Sequence, residues 1–233
     1  IRSYCHIGTG NYNPKTARMY EDLGILSADS ELTDDLTKLF NQLSGFAPQS
    51  TYSRLLVAPK TLRPGIMERI DREIENAKAG KPSGIQFKLN SILDEAFVEK
   101  LYEASKAGVK VDLLIRGICA VQPGIKGVSE NIHVRSVLGR FLEHSRILHF
   151  VNGGKNEYWI GSADLMARNL DRRVEALVRV DKKEHQIRLQ KLLDLGLSED
   201  VSSWHLKGTQ WSKSSKNLKD LHSDLANKYS KDR

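Results

Sequence analysis

Between residues 54 and 115 the apolar positions switch repeatedly between strand spacing and helix spacing. Arg-Leu-Leu-Val-Ala (54–58) is a short apolar run that stops at Pro59 and predicts a strand. Over 64–79, Ile66, Met67, Ile70, Ile74 and Ala77 recur at helical spacing, and Gly-Lys-Pro-Ser-Gly (80–84) ends the helix they define. Ile-Gln-Phe-Lys-Leu-Asn (85–90) alternates with period two, Ile92 to Ala107 reads as an amphipathic helix closed by Gly108, and 110–116 is a further strand. Strand, helix, strand, helix, strand in about sixty residues predicts an α/β fold with a mixed, largely parallel sheet flanked by helices. Strand-like runs follow at 133–138, 146–151, 157–163 and 174–180, then a helix over 181–195. Upstream, 33–45 reads as a helix with Thr33 as its N-cap and Gly45 as its stop. The polar stretch 46–53 is the best domain boundary. It divides the chain into 1–50, the end of one domain that is expected to dock loosely, and 54–204, a complete second domain.

Composition narrows the class. A chain of 233 residues with 39% hydrophobic and 28% charged residues can bury a real core. It contains no apolar run near the roughly 18 residues that a membrane span needs. The opening Ile-Arg-Ser-Tyr-Cys-His has neither an initiator Met nor a signal-peptide layout, and reads as the cut end of a longer protein. Cys5 and Cys119 form no disulfide framework, so a reduced, cytoplasmic setting is the expectation. The net charge is +7, of which residues 205–233 supply +4, with seven Lys/Arg against three Asp. That segment reads as a basic, solvated tail. A basic surplus suits polyanions: nucleic acid, anionic lipid or inorganic polyphosphate.

The chemistry concentrates around one histidine. His144 and Arg146 open the strand 146–151, and the Gly161-Ser162 turn comes off the next strand. The single residue between His144 and Arg146 puts both side chains on one face of an extended segment. An imidazole there can trade protons near neutral pH or meet phosphorus, while a cation and turn N–H groups hold phosphate oxygens. This is the layout of a phospholipase-D-like half-site. Ile7-Gly8-Thr9-Gly10-Asn11 echoes Ile160-Gly161-Ser162-Ala163-Asp164, and each is followed by basic residues, Lys15 and Arg18 or Arg168, Arg172 and Arg173. The echo points to two related halves. The sequence has no Gly-rich P-loop, no dinucleotide fingerprint and no convincing zinc-ligand spacing.

Longer strings make the resemblance specific. Residues 6–20 (HIGTGNYNPKTARMY), 82–90 (PSGIQFKLN), 113–119 (LLIRGIC), 142–146 (LEHSR) and 161–175 (GSADLMARNLDRRVE) resemble signature stretches of the polyphosphate kinase family, in its order and spacing. The resemblance covers residues 1 to about 200. It implies reversible transfer of the terminal phosphate of ATP to inorganic polyphosphate through a phosphohistidine, with Mg²⁺. It also implies a Tyr20 that contacts the nucleotide, an Arg116 that pairs with phosphate oxygens, and a His144 that serves as proton donor or phosphate partner. Arg146 and Arg168 are further phosphate-contact candidates. The implied partners are ATP or ADP and polyphosphate, with no nucleic acid, room for peripheral membrane association, and a homo-oligomer for the full-length protein. The family's phosphorylated histidine belongs to a His-x-Lys segment upstream of residue 1, as do the groups near Mg²⁺, and His6 at its turn is no substitute. This stretch alone is therefore expected to be inactive. Two other readings fit less well: a phospholipase-D-like phosphodiesterase acting on lipid or nucleic acid, whose usual Lys and following Asp are missing after His144, and a non-enzymatic polyanion-binding module.

Overall fold

A computed structural model of the chain describes residues 2–46, 51–214 and 218–231. In order, the first part runs through β1 (Cys5–Gly8), β2 (Tyr20–Glu21), β3 (Gly24–Ser27) and α1 (Ser30–Leu43). The centre comprises β4 (Leu55–Val57), α2 (Leu62–Lys78), β5 (Ile85–Leu89), α3 (Glu95–Lys106), β6 (Val111–Ile115), β7 (Ile132–Val137) and β8 (Leu142–Glu143). It continues with β9 (Arg146–Phe150), β10 (Glu157–Gly161), β11 (Ala176–Val180), α4 (Lys183–Leu197), β12 (Ser203–Lys207), β13 (Gln210–Lys213) and α5 (Leu221–Lys231).

Nine strands form one mixed sheet in the order β13-β12-β7-β6-β5-β9-β10-β11-β4. Only β5, β6 and β7 are parallel neighbours, joined through α3 and the long loop after β6. Every other neighbour in this sheet is antiparallel. The mixed α/β sheet is as expected, but "largely parallel" is corrected. The alternation over 54–115 does not reveal that α2 carries the chain across the sheet, leaving β4 at the far edge beside β11.

Period-two alternation feeds two cores on opposite faces of the sheet. Phe87, Leu113, Ile115, Leu148, Phe150 and Trp159 pack with Ile66 and Ile70 of α2 and Phe97 and Leu101 of α3. Leu114, Ile147, Tyr158, Ile160 and Val178 pack on the other side with Leu189 and Leu193 of α4 and Leu32 and Leu39 of α1. Ile7 of β1 belongs to that second core as well. Residues 2–46 are therefore packed onto the sheet, not loosely docked. Half of the boundary assigned to 46–53, residues 47–50, lies outside those described. The N-cap of α1 is Asp29, not Thr33: Leu32 N–H donates to Asp29 Oδ1 at 3.0 Å, and Thr33 Oγ1 donates to the Asp29 carbonyl.

The basic segment is also more than a solvated end. Residues 203–207 pair with β7, 210–213 pair with β12, and Leu221 and His222 at the start of α5 are buried. Its buried apolar positions, Leu206 and Leu221, sit next to Lys207 and close to Lys219, and the surrounding charge hides them. Lys216, Asp232 and Arg233 lie outside the described residues.

Candidate active site

A cavity of about 440 Å³ opens where the C-terminal ends of β5 and β6 meet the turns that follow β1 and β10. Open α/β sheets place ligands at this end of their parallel strands. Thr9, Gly10, Asn11, Asn90, Arg116, His144, Arg146, Ser162, Asp164, Arg168, Arg173 and Glu175 line it. Four of the five residues singled out in the sequence thus meet at one place, although Arg116 and Arg168 come from different loops. The fifth, Tyr20, lies behind His144, its ring centroid 4.7 Å from the imidazole at a 40° tilt. His6 contacts Tyr12 instead and does not line the cavity. Lys15, Arg18 and Arg172 do not line it either.

His144 is held from three sides and is only 7% exposed. Its Nδ1 lies 2.8 Å from Asp22 Oδ1, the arrangement of an Nδ1–H donating to a carboxylate. The terminal nitrogen Nη1 of Arg146 is 3.3 Å from Nδ1 and 3.2 Å from Nε2. A nitrogen nearly equidistant from both must lie over the ring face, since an in-plane position would collide with Cε1. The in-plane direction of Nε2 is therefore left for a ligand in the cavity. Fixing the tautomer through one ring nitrogen so that the other can act is the usual use of such a pairing.

Arg146, the first residue of β9, is also 7% exposed. Its guanidinium donates to the His144 carbonyl at 2.8 Å, to the Thr9 carbonyl at 3.2 Å and to Asp164 Oδ2 at 3.0 Å. Its Nε is buried without a hydrogen-bond partner. Asp164 in turn accepts from Asn90 N–H at 2.7 Å and from Asn90 Nδ2 at 3.2 Å. Asn90 Oδ1 accepts from Arg116 Nε at 2.9 Å, which aims a guanidinium from the end of β6 at the cavity. The chain Arg146–Asp164–Asn90–Arg116 links two cations through one carboxylate and one amide.

The two echoed turns face each other across this cavity, and each hydroxyl holds a carboxylate. Thr9 Oγ1 donates to Asp22 Oδ1 at 2.7 Å, and Ser162 Oγ donates to Glu175 Oε2. Glu175 also accepts from Asn169 Nδ2 at 2.7 Å. The glycines of the turns are steric requirements. A Cβ at Gly10 would fall 2.5 Å from Asp22 Oδ2, and one at Gly161 would collide with the Ala176 carbonyl.

Sequence reasoning missed Asp22, Asn90, Asp164 and Glu175 as site groups, although all four lie inside or next to the strings that carried the resemblance. The echo did contain a signal, because Asp164 occupies its last position. Asp22 and Glu175 come from strand ends that only tertiary pairing brings to His144 and Ser162.

No cluster of three or more His, Cys, Asp or Glu able to hold a metal occurs among the described residues. Both carboxylates lining the cavity are already occupied, Asp164 by Arg146 and Asn90, Glu175 by Ser162 and Asn169. This donor set does not fit a resident Mg²⁺. No helix among the described residues is long and apolar enough to cross a membrane.

Residues 55–224 match the family model described as polyphosphate kinase C-terminal domain 2, and residues 1–49 match the one described as polyphosphate kinase C-terminal domain 1. The polyphosphate kinase of Streptomyces coelicolor is 58% identical over 206 residues, which is 88% of this chain and 28% of that protein. The polyphosphate kinase of Prochlorococcus marinus is 54% identical over 207 residues, 89% of this chain and 29% of that protein. A crystal structure of polyphosphate kinase from Porphyromonas gingivalis superimposes with a TM-score of 0.91 at 34% identity, covering 99% of this chain and 36% of that one. The chain thus spans between a quarter and a third of the length of these curated relatives.

Proposed function

The chain belongs to the polyphosphate kinase family, and from that premise we propose that it supplies half of an active site that moves the terminal phosphate of ATP to and from inorganic polyphosphate. One observation carries this reading: His144 presents Nε2 to a cavity whose cations, Arg116, Arg146, Arg168 and Arg173, suit a phosphate chain. Phosphoryl transfer needs an in-line nucleophile and positive charge around the equatorial oxygens. The guanidinium groups of Arg116 and Arg146 supply the second requirement as fixed, charge-assisted donors. His144, oriented by Asp22 through Nδ1, donates the Nε2 proton to the oxygen that leaves, and takes it back in the reverse direction. Arg168 and Arg173 are exposed at the rim and meet the outer phosphates. Tyr20 buttresses the imidazole with one face and keeps its solvent side for the nucleotide.

The resemblance puts the phosphorylated histidine on the segment that precedes the Ile7–Asn11 turn. In each half the turn hydroxyl binds a carboxylate, and the carboxylate on Thr9 serves the histidine of the other half, since Asp22 holds His144. By the same relation Glu175, bound to Ser162, is the group this chain offers to orient the upstream histidine. The described residues do not form an Mg²⁺ site, and the groups that would hold the metal belong, as the resemblance implies, to the segment upstream. ADP, ATP and polyphosphate are the proposed partners, in a cytoplasmic setting, with the full-length protein assembled as a homo-oligomer. The proposed domains are 1–50 and 54–204, with 205–233 completing the second through β12, β13 and α5.

Two substitutions in the full-length protein test the site. Arg116→Ala removes a cation aimed at phosphate oxygens and should lower transfer of label from γ-labelled ATP into polyphosphate by about 10²-fold, the scale for one lost charge-stabilising donor. Near-normal transfer would take Arg116 out of the site. Gly10→Ala deletes no functional group yet displaces the Asp22 carboxylate. Turnover should drop about 10-fold, with the melting temperature little changed. An unaltered rate would show that the Asp22–His144 contact is dispensable.

A further inference from the structure

Behind the cavity, a chain of buried charge runs from the middle of the sheet to the C-terminal helix. Lys88 on β5 is 8% exposed, and its Nζ lies 2.8 Å from Glu21 Oε2, 2.6 Å from Glu143 Oε2 and 2.7 Å from Ser145 Oγ. Ser145 Oγ also contacts both Glu21 oxygens at 2.8 Å. The second oxygen of Glu143 lies 2.6 Å from His222 Nε2. His222 Nδ1 accepts the Phe141 N–H at 3.0 Å, which leaves Nε2 as the protonated donor to Glu143. His222 sits in the first turn of α5 and is 3% exposed. A Cβ on Gly139 would collide with its Nδ1, so the loop between β7 and β8 admits the ring only because residue 139 is glycine.

Glu21 and Glu143 immediately precede Asp22 and His144, and they lie opposite each other where β2 and β8 pair in parallel. That pairing is two residues long and stands apart from the main sheet, so it has little stability of its own. What fixes it is the ammonium of Lys88 between the two carboxylates, with His222 satisfying the remaining oxygen. We propose that Lys88 and His222 are positioning residues, and that the C-terminal helix thereby latches the strand end from which His144 reaches the cavity. The proposal rests on the reading above only for the chemistry assigned to His144.

The clamp is held in its ionised form. Burial alone would push the Glu143 carboxyl up, but Lys88 and His222 outweigh it and hold it well below the usual carboxylate range. Burial would likewise lower the Lys88 ammonium, but Glu21 and Glu143 keep it above its ordinary range. Removing His222 leaves a buried carboxylate oxygen unsatisfied while Lys88 keeps its pull on the other, which favours rotation of Glu143 and release of β8.

The test compares His222→Leu, His222→Gln and Gly139→Ala with the wild type in the full-length protein. Each is treated with diethyl pyrocarbonate, and carbethoxylation of individual histidines is followed by mass spectrometry. His149 is the internal control, since it is buried and both its ring nitrogens are occupied, by Gln86 and Asn156. His144 should react about 10-fold faster in His222→Leu and Gly139→Ala, with His149 unchanged, and His222→Gln should restore most of the protection through its amide donor. In the transfer assay kcat should fall about 10-fold with the KM for ATP within about 3-fold. An unchanged His144 rate, or a parallel rise at His149 that reports general loosening, would overturn the latch. If His222→Leu fails to fold, Gly139→Ala and His222→Gln decide by the same readout. Should the wild type transfer no phosphate at all, the functional reading fails, and the labelling rates still decide whether α5 positions His144.

Discussion

Replacing His144 by alanine in the full-length protein should lower phosphate transfer by about 10²–10⁴-fold, the usual scale for losing a general acid or base. The loss should appear in kcat far more than in KM, because the cations proposed to bind the phosphates remain. Arg116 keeps its hold on Asn90, and Arg146 keeps Asp164 and the Thr9 carbonyl. The fold should tolerate the change, since the imidazole packs against Tyr20 and the Arg146 guanidinium and not against either hydrophobic core. Asp22→Asn is the companion variant. It keeps the shape of the side chain but weakens the hold on Nδ1–H, so it should cost less than His144→Ala and add little on top of it. Residues that act as one unit are strongly non-additive, and a double variant no slower than His144→Ala is the signature. A His144→Ala enzyme with a near-normal rate would remove the histidine from the mechanism. Fully additive losses would separate Asp22 from it.

Much of the fold was legible because its signals are local. Each of the strands at 85–90, 110–116, 146–151 and 157–163 announced itself by alternation or by an apolar run, and each helix in the centre by its stop at Gly80 or Gly108. Strand order was not legible. Whether β9 returns beside β5, antiparallel to it, depends on the sheet that forms, not on any spacing in the sequence. The short strands β2 and β8 were invisible for a related reason: two paired residues leave no periodicity, and what stabilises them is Lys88, a charged residue that composition assigns to the surface. The same misreading made the segment 205–233 look like a solvated tail. In the site, the groups that reach a ligand could be named from the strings around Arg116, His144 and Arg168. The groups that orient them could not, because Asp22 and His144 are 122 positions apart and Arg146 and Asp164 sit at the ends of separate strands.

Arg146 carries the second large expectation, and it separates stability from catalysis. Its guanidinium is buried, paired with Asp164, and bonded to two backbone carbonyls that belong to the two halves of the site. Arg146→Met leaves Asp164 as a buried carboxylate without its cation, a situation that typically costs about 3–5 kcal/mol. Transfer activity should be lost as well, since the same guanidinium lies over His144 and lines the cavity proposed for the phosphates. The double variant Arg146→Met/Asp164→Asn removes the uncompensated charge, and the amide oxygen it places at position 164 can still accept from Asn90 N–H. It should recover at least half of the lost stability in urea unfolding and none of the activity. Arg146→Lys gives the third point. A lysine restores the charge opposite Asp164, but its single ammonium cannot span His144, Thr9 and Asp164 together as the planar fork does. It should therefore be nearly as stable as the wild type, and slower by about 10–10²-fold because the imidazole loses the group that covers its face. If Arg146→Met/Asp164→Asn is no more stable than Arg146→Met, the cost lies in lost packing and carbonyl contacts and not in the stranded carboxylate. If Arg146→Lys is fully active, the guanidinium fork has no part in setting His144, and Arg146 serves the phosphates as a point charge alone.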